Sequence, residues 1–124
     1  MEINGLTEII IGAAITVHKE LGPGLLESVY QKCLFVELET RKIPVQKEVP
    51  LPVMYRGCKI SDDGFRLDLL VNDLVVVELK SVEKIQAVHA KQLLTYLRLA
   101  NKPLGLLINF NVPVLKDGII RIAN

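Results

Sequence analysis

Tryptophan is absent, aromatic residues make up 5% of the chain, and the only cysteines are Cys33 and Cys58. Two cysteines are too few for a disulfide framework or a four-cysteine cluster. Each is expected to serve as a small buried or half-buried hydrophobe, Cys33 on a helix and Cys58 in a strand or turn. No apolar run is long enough to cross a membrane, since the longest, Ile9 to Val17, contains Gly12 and Thr16 and lies between Glu8 and His18. An acidic Glu2 and a lack of early Lys or Arg argue against a signal peptide, so a cytoplasmic location is expected. A strong charge excess is also missing: the formal net charge is +1. A protein gripping long nucleic-acid tracts by itself would be more basic, so any such contact is short or draws on basic residues gathered on one face. There are no internal repeats, low-complexity tracts or long linkers. With 124 residues and 50% hydrophobic content, a single domain over residues 1–124 can bury roughly two-thirds of its unfolded surface around one core.

What is present is charge in an unusual setting. The stretch from Phe65 to Lys80 is mostly Leu and Val, yet it contains Arg66, Asp68, Glu78 and Lys80. Strand side chains alternate between faces, and the odd positions Leu67, Leu69, Val71, Val75, Val77 and Leu79 are all apolar. The charges therefore share the even face, at the end of a hairpin away from its turn. A two-residue loop would set even positions against odd ones and bury charge, so the parity predicts an odd loop, Asn72-Asp73-Leu74. Asp68 then lies across from Glu78 and Arg66 across from Lys80, with opposed Cβ atoms roughly 5 Å apart. Two carboxylates that close repel unless a cation lies between them, and hard Mg²⁺ takes carboxylate oxygens and water. Ion pairs Glu78–Lys80 or Arg66–Asp68 on a solvated face would also account for these charges, and such pairs contribute little. The hairpin residues alone leave both readings open.

Elsewhere the pattern reads helix, helix, three-stranded meander, helix, strand, strand. Asn4 or Thr7 can cap a first helix bearing Leu6, Ile10, Ala13, Ala14, Val17 and Leu21, which Gly22-Pro23-Gly24 stops. A second helix over about Leu26 to Thr40 puts Glu27, Tyr30 and Leu34 on one face. Val45 to Tyr55 reads as an edge or bent strand because of Pro50 and Pro52. Arg56 to Ile60 continues it, and Ser61-Asp62-Asp63-Gly64 reads as a turn. A third helix over about Ile85 to Ala100 aligns His89, Gln92 and Tyr96, with Leu93, Leu94 and Leu97 on the adjoining face. Leu104 to Phe110 reads as a strand buried on both faces, and Gly118 to Ile122 as a short final strand. The helix between two strands implies a right-handed crossover and a mixed sheet with helices on its faces.

Asp68 followed by Glu78-x-Lys80 on the next strand resembles the signature of the PD-(D/E)XK nuclease superfamily. Gly24-Leu25-Leu26-Glu27-Ser28-Val29-Tyr30 is similar to the motif that names its GxxExxY branch. Ala14 to Gly24, Gln92-x-x-x-Tyr96, Gly105 to Phe110 and Leu115 to Ile119 also resemble that branch, so the likeness runs from about Ile9 to Asn124. The superfamily's Pro before the first Asp is replaced by Leu67, a dispensable departure. The resemblance implies an α/β fold of mixed α+β type, a restriction-endonuclease-like three-layer α/β/α core with a mixed central sheet.

It further implies metal-assisted phosphodiester hydrolysis, with DNA as substrate by family association and Mg²⁺ or Mn²⁺ as cofactor. Asp68, Glu78 and the Leu79 carbonyl would bind the metal, Lys80 would orient water or stabilise the transition state, and Glu27 would complete the site. Glu27 in a first helical turn also suits the helix dipole with no further role. Gln92, Tyr96, Tyr30 and His89 are the candidate cleft residues, and Tyr30 equally suits core packing with a satisfied hydroxyl. Arg66, Lys84 and Lys91 are candidate phosphate contacts, though each singly reads as solvated surface. Neither His18 nor His89 reads as a metal ligand. Small size suggests a homodimer or a larger nucleic-acid-processing partner. A non-cleaving nucleic-acid-binding module would keep the same fold. A carbohydrate-active enzyme fares worst, since Lys80 has no part in that chemistry and no Trp is available to stack on sugars.

Overall fold

The computed structural model describes residues 1–124, the side chains of residues 61–63 excepted. In chain order the elements are α1 (Ile3–Leu21), α2 (Glu27–Thr40), β1 (Val45–Tyr55), β2 (Cys58–Val71), β3 (Val75–Lys80), α3 (Ala87–Ala100), β4 (Leu104–Asn109), a 3₁₀ turn (Leu115–Gly118) and β5 (Ile119–Ala123). The five strands form one sheet in sequential order. Only the β3–β4 pair, joined through α3, is parallel, so the sheet is mixed as expected.

Two apolar clusters define the layers. On one face α1 and α2 bring Leu6, Ile10, Val17, Tyr30 and Leu34 onto Leu69, Val77, Leu79, Leu106 and Ile108. On the other α3 brings Leu93, Tyr96 and Leu97 onto Leu51, Leu70, Val76 and Leu107. This is a three-layer α/β/α arrangement, consistent with a restriction-endonuclease-like fold. All six residues of β4 are buried, as a strand covered on both sides must be. Gly105 lets α3 close on this strand, because an added Cβ would sit 3.0 Å from Leu93.

Local signals account for most boundaries. Gly22, at φ 71°, turns the chain after α1 and donates its N–H to the His18 carbonyl at 2.8 Å. The expected Asn4 or Thr7 cap does not form, because the helix starts upstream at Ile3 after Glu2. The Thr7 hydroxyl instead donates to the Asn4 carbonyl at 2.9 Å, and Arg121 donates to both side chains. Strand β1 is an edge strand with register shifts around its prolines, as anticipated. The turn expected over Ser61-Asp62-Asp63-Gly64 does not form, because β2 runs unbroken from Cys58 to Val71. Arg56 and Gly57, at φ 50° and 78°, make the turn between β1 and β2. Cys58 is exposed rather than buried and Cys33 is half-buried; both are free thiols. No helix of the described residues is long and apolar enough to cross a membrane.

The β2–β3 hairpin has the odd loop that parity demanded. Leu69, Leu70 and Val71 pair with Val77, Val76 and Val75, leaving Asn72-Asp73-Leu74 between them. Leu67 departs from the parity reading: it packs with Leu70 and Val76 under α3, not with Leu69 under α1 and α2. Strand β1 switches faces in step, since Val45 packs on the first cluster and Val49 and Leu51 on the second. Both switches fall between the pairs Lys47↔Leu69 and Val49↔Leu67, at Glu48 and Asp68. Glu48 lies in the left-handed region at φ 51°. A left-handed residue rotates the strand beyond it, so strict alternation fails there.

Candidate active site

The switch at Asp68 opens a fork. The β2–β3 ladder ends at Leu69↔Val77, and beyond it side chains take over the backbone donors. The Leu79 N–H donates to Asp68 Oδ2 at 2.8 Å, and the Asp68 N–H donates to Glu78 Oε1 at 3.4 Å. Asp68 and Glu78 thus face one another in the continued register, as their spacing required. Arg66 and Lys80 do not pair across the strands, because β2 has already left the ladder; Arg66 is exposed. In a strand the N–H and C=O of one residue point to the same side, so the Leu79 carbonyl also faces the fork.

Burial and like charge set the electrostatics. Glu78 is 9% exposed, and its carboxyl is pushed up to about 9, first by burial and then by the Asp68 charge and a side-chain hydrogen bond to Asp68. The backbone hydrogen bond from Asp68 and the Lys80 charge act in the opposite direction and do not compensate. Near neutral pH, then, Glu78 keeps its proton when no cation is present. Neither Glu78–Lys80 nor Arg66–Asp68 is an ion pair among the described residues, which removes the reading of a simply paired strand face. Burial, followed by the charges of Glu78 and Asp68, also raises the Tyr96 hydroxyl above its ordinary value. Tyr96, itself buried in the cluster under α3, therefore lies within electrostatic reach of both acids.

The other candidates divide. Lys80 is half-buried on the strand that carries Glu78, and its carbonyl accepts the Phe110 N–H at 2.9 Å. Glu27 is exposed in the first turn of α2 and does not close on the two carboxylates. Among the described residues no three His, Cys, Asp or Glu side chains gather to hold a metal ion. Tyr30 does not line the cleft. It is fully buried, stacks on Phe110 with centroids 4.4 Å apart, donates to the Gly22 carbonyl at 2.6 Å and accepts the Leu25 N–H at 3.1 Å. The Ser81 hydroxyl donates to the Leu25 carbonyl, so the Gly22–Leu25 segment is pinned beside the end of β3.

His89 also has another job: its Nδ1 accepts the Gln86 N–H at 3.0 Å in a capping box at the start of α3. Gln92 is exposed one turn before Tyr96 on the same side of α3, while Lys84 and Lys91 are exposed nearby in sequence. His18 is buried beside Phe110 with Nε2 2.8 Å from the Val112 carbonyl, a structural placement.

Two buried polar residues of the site lie outside the sequence candidates. Gln31 is 7% exposed and donates from Nε2 to the Asp68 carbonyl at 2.9 Å, so α2 holds the backbone at the fork. Its one signal is spacing, since Gln31, Leu34 and Leu38 share a helix face. Asn109 is 3% exposed, accepts the Val82 and Asn111 N–H groups and donates to the Val82 carbonyl at 2.9 Å. It fixes the chain just past Lys80, and its signal is a polar residue at the end of an apolar strand.

The donor set fits a hard divalent cation. Two carboxylates and the Leu79 carbonyl offer only oxygen, and the proton retained on Glu78 marks a site short of positive charge. No curated protein and no solved structure matches the chain. A family model does, over residues 4–122, a span that holds the fork and all but one end residue of α1 and of β5, and the chain belongs to the PD-(D/E)XK nuclease superfamily.

Proposed function

We propose that the protein is a divalent-metal-dependent nuclease that hydrolyses phosphodiester bonds of DNA, of the GxxExxY type. The observation that carries this reading is the Asp68–Glu78 pair, held face to face in a buried fork where one carboxyl must keep a proton.

Asp68, Glu78 and the Leu79 carbonyl would hold Mg²⁺ or Mn²⁺, with Glu27 as the outer acid acting through water. Bound there, the ion would supply Lewis acidity to the phosphate and lower the pKa of a water. Glu78 would hold the ion as a carboxylate. Lys80, two residues along the strand, orients the attacking water or donates to the phosphate oxygens as charge grows on them. Gln31 keeps Asp68 in place from behind, and Asn109 fixes the chain that follows Lys80. Arg66, Lys84 and Lys91 supply exposed positive charge for flanking phosphates. Two free thiols suit a reducing compartment such as the cytoplasm. A second copy or a larger partner would extend substrate recognition beyond this small chain.

The test is cleavage of linear, circular and single-stranded DNA with Mg²⁺, Mn²⁺ or EDTA. Wild type is expected to cut only with metal, and Asp68→Ala and Lys80→Ala are each expected to lower the rate by at least about 10²-fold. Absence of cutting under every metal, together with retained nucleic-acid binding, would replace this reading with that of a non-cleaving binding module.

A further inference from the structure

Phe65 is 46% exposed, although Leu67 on the same strand face is 1% exposed beneath α3. Its ring meets that of Tyr96, with centroids 5.6 Å apart and planes tilted by 43°. Tyr96 in turn lies within electrostatic reach of Glu78 and Asp68. An aromatic step thus leads from solvent to the acidic fork. Along the strand, Phe65 stands about 10 Å from Asp68 at the usual rise per residue. Val88 and Gln92 precede Tyr96 by two turns and one turn on the same side of α3, and both are exposed. They extend the surface with an apolar contact and an amide able to bond a base edge.

We propose that the exposed Phe65 ring, backed by Tyr96, which is 8% exposed, forms a stacking platform for an unpaired base, and that the preferred substrate is single-stranded nucleic acid or a frayed end. The inference rests on the nuclease reading of the Asp68–Glu78 fork. A base inside a duplex already has both faces stacked and cannot offer one to a protein ring, whereas an unpaired base can, and proteins that hold single strands use such rings. The charge balance points the same way. At a net charge of +1 the chain has little to spend on a long duplex backbone, where affinity comes from many phosphate contacts. The platform adjoins the acids that would act on a phosphate, so its occupant belongs to the same chain as that phosphate.

The experiment is fluorescence anisotropy with labelled oligo(dT), oligo(U) and a blunt duplex of equal length, with Ca²⁺ in place of Mg²⁺. Wild type is expected to bind a single strand more tightly than the duplex, and the dT and U arms report which sugar it takes. Phe65→Leu is expected to weaken single-strand binding about tenfold and Phe65→Tyr to restore it, with duplex binding unchanged in both. An abasic position walked along the strand needs no variant, and is expected to cost a similar factor at one or two sites only. Equal binding by Phe65→Leu, a duplex bound as tightly as the single strand, or no effect of any abasic position overturns the inference. Cleavage of the same oligonucleotides with Mg²⁺ or Mn²⁺ separates the two readings. Cutting that ignores Phe65→Leu sinks the platform and leaves the nuclease, while Phe65-dependent binding without cutting sinks the nuclease and leaves the platform.

Discussion

The two ends of the β2–β3 pair are built from the same strands and solve opposite problems. Toward the turn, Leu69, Leu70 and Val71 face Val77, Val76 and Val75 in a regular ladder, and every one of these side chains is at most 5% exposed. Toward the fork the ladder gives way to carboxylates that accept backbone N–H groups, one of them buried with its proton. The closed end gains stability from apolar burial. The open end gives stability up, because burying a carboxyl beside another is unfavourable until a cation arrives. In the proposed nuclease, a bound cation would offset that cost.

The largest effects should therefore separate by end. Leu69→Ala removes a fully buried side chain at the closed end and is expected to cost about 2–5 kcal/mol, while the rate per folded molecule changes little. Glu78→Gln at the open end should do the reverse, abolishing metal-dependent cutting while raising the metal-free stability at neutral and alkaline pH. Denaturant unfolding beside cleavage assays reads both, and loss of stability in Glu78→Gln would mean that the buried carboxyl does not destabilise the open end.

The pH dependence carries the same sign. Glu78 titrates near 4.5 when unfolded and near 9 when folded, so between those values the native state binds more protons than the unfolded one. Its stabilising contribution is complete below about pH 4.5 and is lost as pH rises through about 9. Metal-free wild type is thus expected to lose stability across that window relative to Glu78→Gln, and parallel stability curves would show that Glu78 is not protonated.

How much of this was legible in the sequence follows from the range of the interactions. Alternation placed Leu69, Val71, Val75, Val77 and Leu79 on one face and fixed the odd loop. The prolines marked β1 as an edge, and the apolar run marked β4 as buried. These are local patterns. Leu67 was misplaced because the face switch depends on the left-handed backbone of Glu48, where no glycine announces it. Tyr30 was assigned partly to the cleft because its true partners, Phe110 and the Gly22 carbonyl, are visible only after folding. Gln31 and Asn109 stayed without roles because they bond backbone groups 37 and 27 residues away. A buried polar side chain is defined by such a partner, which spacing does not name.

Gln31→Leu perturbs the open end from the helix side. It keeps the apolar bulk of the side chain but leaves the Asp68 carbonyl without its donor, which should cost about 1–3 kcal/mol. Unlike Leu69→Ala, it should also lower the cleavage rate, because the lost bond holds the backbone of Asp68. A variant with normal stability and normal rate would mean that the fork stands without α2.

The smallest effect belongs to the turn. Asp73 pairs with Lys102 at 2.9 Å, but its side chain is 82% exposed, and such pairs contribute about 0–1 kcal/mol. Its backbone is the more demanding feature, since φ is 55°, in the left-handed region that Asp and Asn tolerate better than other residues with a Cβ. Asp73→Asn removes the charge and keeps that tolerance, so it should change stability by less than about 1 kcal/mol, with any loss vanishing at high salt. Asp73→Val removes the charge and adds a β-branched side chain at positive φ, so it should cost about 1–2 kcal/mol more and keep that cost in salt. Equal losses in the two variants would shift the role of Asp73 from the shape of the turn to its charge, and would make the closed end, like the fork, dependent on electrostatics.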